Sequence, residues 1–94
     1  MIKQELMDRI SRALSLRSFP VSTGSTEPRE FFVAVANQLG LGELVKRQGK
    51  VELAKLILES LGENWDDSYY SDGATITKKY FVKLVEVVES IFDN

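Results

Sequence analysis

Two short glycine-centred runs hold the residue types best suited to chemistry: Ser22-Thr23-Gly24-Ser25-Thr26-Glu27-Pro28 and Ser71-Asp72-Gly73-Ala74-Thr75-Ile76-Thr77. Each combines hydroxyls with glycine and leads into a stretch with helical spacing of apolar residues. A helix start exposes unpaired N–H groups and a partial positive charge, so both runs are candidate contacts for phosphate or carboxylate groups. The same residue types also cap helices, and capping alone is the simpler account of them.

Other motifs that would carry chemistry fail on spacing. Gly49-Lys50 resembles the end of a phosphate-binding loop, but Leu44 stands where the motif needs Gly, and Val51 where it needs Ser or Thr. Asp66, Asp67 and Asp72 near Gly73 suggest a calcium loop, yet that alignment puts Ser68 and Tyr70 at the first ligand positions and Lys79 at the bidentate acid. The same acids lack the neighbouring Glu-x-Lys type pair and the base that a magnesium-dependent nuclease uses. With neither Cys nor His in the chain, thiolate and imidazole metal sites and the usual neutral-pH base are excluded. The expectation is a protein that is not an enzyme and takes neither metal nor cofactor.

Composition narrows the class further. Ninety-four residues suit one domain, residues 1–94, with its own core but without a separate catalytic lobe. No leader-like segment and no apolar run of about 20 residues is present, so the chain reads as soluble and cytoplasmic. A net charge of −2 argues against strong non-specific binding to nucleic acid. Its distribution is uneven: Arg9, Arg12, Arg17 and Arg29 lie early, Lys46, Arg47 and Lys50 in the middle, and Lys78, Lys79 and Lys83 late, while Glu59, Glu63, Asp66, Asp67 and Asp72 crowd one stretch. One basic and one acidic face, or simply mixed solvated helix faces, follow from that pattern.

Four helices must position these residues. Ile2, Leu6, Ile10 and Leu14 predict a helix over about Ile2 to Leu16, ended by Ser18-Phe19-Pro20-Val21, with at least one of Phe19 and Val21 anchored in the core. Pro28 to Leu39 reads as a second, capped by Thr26 or Glu27, buried through Phe31, Phe32, Val35 and Leu39, and ended by Gly40. The connector from Leu41 to Gly49 suits a short helical turn. A third helix runs from Lys50, with Val51, Leu53, Ala54, Ile57, Leu58 and Leu61 on a broad apolar face and Gly62 as a left-handed stop. Glu63 to Ile76 reads as an ordered loop pegged by Trp65, Tyr69 and Tyr70, with Trp65 largely buried. Thr77 caps a last helix from about Lys78 to Phe92, buried through Phe81, Leu84, Val85, Val88, Ile91 and Phe92. The fold expected is an all-α bundle of about four amphipathic helices with two ordered Gly/Ser/Thr loops, without a strand pair, Thr75-Ile76-Thr77 being at most a strand remnant.

From Thr23 to Val88 the joint order of features, Thr23-Gly24-Ser25-Thr26-Glu27-Pro28, Leu39-Gly40, Lys50 with Leu53-Ala54 and Ile57, Gly62, Trp65, and Ser71-Asp72-Gly73-Ala74-Thr75-Ile76-Thr77, resembles small domains attached to prokaryotic restriction endonucleases and related defence proteins. Such relatives carry a separate nuclease domain, and a Gly where this chain has Tyr80, so the resemblance does not imply enzymatic activity. It implies a DNA-associated accessory or recognition role in a restriction, defence or mobile genetic system.

Two functions follow. In the first, duplex DNA meets loop amides and hydroxyls at Ser25, Ser71, Thr75 and Thr77 and cations at Arg29, Lys46, Arg47, Lys50, Lys78 and Lys79, with the Lys50, Glu52 and Lys55 side of the third helix as the base reader. In the alternative, a protein partner, such as a larger protein of the same system, docks on Trp65, Tyr69 and Tyr70 within their acidic rim.

Overall fold

The chain folds as a small helical bundle: α1 (Lys3–Ala13), α2 (Arg29–Gln38), α3 (Lys50–Ser60) and α4 (Lys78–Phe92). The structure is a computed structural model that describes residues 2–21, 27–71 and 75–92. Short 3-10 turns at Gly42–Leu44 and Asp67–Tyr69 punctuate the connectors. No described helix is long and apolar enough to cross a membrane.

The helix ends follow backbone chemistry. Gly40 and Gly62 adopt φ of +81° and +83°, and the residue after each donates back into its helix, Leu41 N to Ala36 O and Glu63 N to Leu58 O. α1 ends in the same way, but earlier than its apolar spacing predicts. Ser15 takes the left-handed conformation at φ +59°, and Leu16 N donates to Ser11 O at 2.7 Å, so the helix stops at Ala13 instead of running to Leu16.

One core takes side chains from every helix. Leu6, Met7, Ile10 and Leu14 meet Phe81, Leu84, Val85 and Val88 of α4, while Phe31, Phe32, Val35 and Ala36 meet Leu53, Ala54, Ile57 and Leu58. Phe19, the residue before Pro20, closes the aromatic centre edge-on to Phe31 at 5.8 Å. The stripes overreach at the helix tips: Ile2 is 62% exposed, Ile91 50% and Phe92 47%, because no other described element extends far enough to cover them. α1 and α4 run parallel, since Lys3 lies over the Phe81 ring and Arg9 grips Glu89 with a 2.9 Å bond from Nε.

Tyr80, absent from the predicted apolar stripe, is fully buried. Its hydroxyl donates to Ala54 O at 2.9 Å and links α4 to α3, and burial, with the neighbouring Tyr69, pushes the phenol well above its ordinary range. Trp65 is only partly buried and leans on Tyr69 and Tyr80. A strand pair does form, against expectation. Tyr70–Ser71 (β1) and Thr75–Ile76 (β2) pair antiparallel, with Tyr70 opposite Ile76 and Ser71 opposite Thr75.

One polar group in this core is unmatched. Ser11 Oγ is buried on α1 and has no hydrogen-bond partner among the described residues. Ser11→Ala is therefore expected to be neutral or to stabilise by up to about 1–3 kcal/mol, the cost of burying an unsatisfied hydroxyl. Urea denaturation measures it, and a clear loss of stability would show that the hydroxyl is satisfied after all.

Candidate functional site

The candidate site is built around Glu27. Sequence reasoning offers this residue as a cap for α2, but Pro28 takes the cap position without a side-chain bond and the Glu27 carboxylate turns inward. Oε2 meets Lys3 Nζ at 3.0 Å, Oε1 meets Lys50 Nζ at 3.1 Å, and Oε1 also accepts from Ile76 N at 2.9 Å. Lys50 Nζ further donates to Glu27 O at 3.2 Å. Burial raises the carboxyl's pKa, but the Ile76 amide, Lys3, the residue's own backbone N–H and Lys50 outweigh it and hold the group below its ordinary value.

These partners have one thing in common. Lys3 opens α1, Pro28-Arg29 follows Glu27 into α2, Lys50 opens α3, and Ile76 lies two residues before Lys78, which opens α4. All four helices thus begin around one buried carboxylate, and each has Lys or Arg as its first residue. Four gathered helix starts would repel one another without a central anion, which is the physical role of Glu27.

Arg29 braces the same end. Its guanidinium donates to Gln48 O from Nε at 3.1 Å and from Nη2 at 2.8 Å, and reaches Val45 O at 3.5 Å. The turn holding exposed Lys46 and Arg47 is thereby held against the start of α2, with Arg47 at φ +64°. Lys78 and Lys79 are exposed in the first turn of α4. Glu5, Glu30 and Glu52, in the first turns of α1, α2 and α3, offset part of this positive charge.

The structure therefore separates the candidate DNA-binding residues into three groups. Lys46, Arg47, Lys78 and Lys79 present exposed charge at this end, although Lys79 also lies close enough to Asp66 to help keep that carboxyl below its ordinary value, behind the Ser68 hydrogen bonds. Arg29 and Lys50 are committed inward and act as braces rather than direct contacts. Thr77 Oγ1 donates to Ser68 O at 2.7 Å and Ser71 Oγ to Thr75 O at 3.4 Å, so those hydroxyls tie β1 and its flank to β2, while the Thr75 side chain is half-buried. Ser25 lies outside the described residues, as do Gly24, Thr26 and Gly73.

Two further expectations are corrected. α3 is not laid out as a base-reading helix: Lys50 is bound to Glu27, Lys55 lies over the Trp65 ring at 5.8 Å, and Glu52 and Glu59 dominate the rest of its exposed side. The aromatic docking patch also loses its centre, because Tyr69 packs into the core edge-on to Trp65 and Tyr80 and leaves only Tyr70 exposed. Glu27 is the residue that sequence reasoning misjudged most. The signal available was a charged residue inside a small-residue run just before Pro, with basic residues opening three other helices.

The fold and this end together define a small helical domain whose helix starts gather at one basic end. Comparison of the chain with protein-family models, curated proteins and solved structures finds no match.

Proposed function

We propose that this chain is a non-enzymatic, cytoplasmic DNA-associated module whose basic end faces the phosphates of a duplex. The observation that carries this reading is the convergence of four helix starts, each opened by Lys or Arg, on one buried carboxylate. Helix starts and cations act in the same direction on a phosphate, and the exposed cations Lys46, Arg47, Lys78 and Lys79 surround the node through Arg29 and Ile76. Nearby acids and the overall charge of −2 keep binding weak and salt-sensitive. The resemblance noted in the sequence makes an accessory element of a restriction, defence or mobile genetic system the natural setting.

The test is fluorescence anisotropy with a labelled duplex across a salt series. Lys46→Ala with Lys78→Ala is expected to flatten the slope of log affinity against log salt by about two, roughly one for each phosphate that is no longer neutralised. Both residues are exposed, so the fold should survive. Glu59→Ala with Asp67→Ala, also exposed, is the opposite-sign control and should strengthen binding modestly through the general field. Asp66 is spared because it accepts from Ser68 N and Oγ. Absence of binding at low salt, or an unchanged slope in the double variant, would overturn the reading.

A further inference from the structure

Two exposed apolar features lie at opposite ends of α3. Just before the helix, Leu44 is 52% exposed and is followed by the exposed cations Lys46 and Arg47, on the turn that Arg29 braces. Just after it, Leu61 walls an open groove of about 310 Å³ shared with Val87 and Ile91 of α4. The groove lining holds two carboxylates, Glu63 and Glu86, against one ammonium, Lys83, which is bonded to Glu63 at 3.1 Å. Glu86 is therefore surplus negative charge beside an apolar floor, and the carbonyl ends of α3 and α4 add to it.

The turn and the groove are complementary: an exposed Leu44 on a turn whose exposed charges, Lys46 and Arg47 against Glu43, leave one cation in surplus, and an apolar slot with one anion in surplus. They are separated by the length of α3, 11 residues or about 16 Å, so a chain cannot fill its own groove. A second copy can. We propose that this chain associates head to tail, with Leu44 of one copy seated against Leu61, Val87 and Ile91 of the next and Lys46 or Arg47 meeting Glu86. The contact is heterologous, so each added copy leaves one free turn and one free groove, and growth continues past the dimer, until a ring closes where the rotation between copies allows it, or as an open chain where it does not. Both surfaces are small beside the roughly 800 Å² per partner of a standard interface, so association is weak, rises with protein concentration and falls with salt. It does not depend on the DNA-binding reading, and its test contains no DNA.

Sedimentation equilibrium of the full chain provides the test, with Leu44→Glu and Ile91→Lys, both at exposed positions, checked for intact fold by circular dichroism. The parent should show a mass average that climbs with concentration past that of a dimer, and each variant alone should remain monomeric. Mixed in equal amounts, the two variants should form a dimer and nothing larger, because one supplies an intact groove and the other an intact turn. A parent that stays monomeric at low-millimolar concentration overturns the proposal and leaves the groove to a foreign basic partner. A parent that associates while either variant still does so, or a mixture that stays monomeric, overturns it as well, by placing the interface elsewhere.

Discussion

Glu27→Ala is expected to destabilise the fold by about 3–5 kcal/mol at neutral pH, the loss typical when one partner of a buried ion pair is removed. The carboxylate is fully shielded from solvent, and Lys3 and Lys50 keep side-chain exposures of only 13% and 16%, so neither ammonium regains much water when the anion is gone. Ile76 N loses its acceptor at the same time. Glu27→Gln should cost less, since its amide oxygen can still accept from Ile76 N. Replacing all three charged residues together, by Lys3→Met, Glu27→Leu and Lys50→Met, should recover most of the loss, because the desolvation cost of the charges disappears with them. Urea denaturation with an unchanged slope measures each step. A loss for Glu27→Ala below about 1 kcal/mol, the range of exposed pairs, would mean that the node is solvated in solution.

The same residue sets an acid dependence whose sign is fixed. The folded-state pKa of Glu27 lies below its ordinary value of 4.5, so its contribution to stability is complete above 4.5 and disappears as pH falls through the lowered folded value. Glu89, held down by Arg9, and Asp66, held down by Ser68, shift in the same direction, but both are open to solvent, which screens their share. Stability against pH measured for the parent and for Glu27→Gln should hold a constant separation above 4.5 and converge as pH falls through the lowered value in stronger acid.

Phe31→Ala is the other large loss expected, about 3–5 kcal/mol from the lost transfer of the ring and the cavity left behind. Phe31 is fully buried and is the hub of the aromatic centre, with Phe32 at 5.3 Å, Phe19 at 5.8 Å and Phe81 at 6.0 Å between ring centroids. Removing it also takes from Phe19 the ring it packs against edge-on. Phe31→Leu should cost clearly less, because it keeps most of the apolar volume. Chemical denaturation compares them, and near-ultraviolet circular dichroism should report a loosened aromatic cluster in the Ala variant alone. Equal losses for Ala and Leu would show that ring geometry, not volume, governs this site.

The aromatic hub was legible in the sequence, and the charged node was not. Phe31, Phe32 and Val35 share a helical period, and Ile57 and Leu58 follow the same rule on α3, so helical spacing alone assigns them to the interior. Gly40 and Gly62 mark helix ends because their left-handed backbone is readily available only to glycine. The end of α1 escaped that rule. Ser15 adopts the same conformation without being glycine, and only the packed return of Leu16 towards Ser11 selects it.

Lys50 and Arg29 look from the sequence like free cations near a glycine loop, because a side chain's type says nothing about which partner lies opposite it. Their commitment to Glu27 and to the carbonyls of Val45 and Gln48 reaches across the connector between two helices, and it exists only once α2 and α3 are packed side by side. Tyr69 and Tyr80 show the same limit: each stands beside charged residues in the sequence, Tyr69 after acids and Tyr80 after lysines, yet both are buried, and the Ala54 carbonyl that satisfies the Tyr80 hydroxyl comes from another helix. What the sequence determined by itself are the four helices, their apolar faces and their glycine stops, which depend on contacts within one or two turns. The tertiary structure alone decided that the four helix starts meet at Glu27, and therefore which cations are spent inside the fold and which remain outside, since those pairings depend on the long-range packing of whole helices.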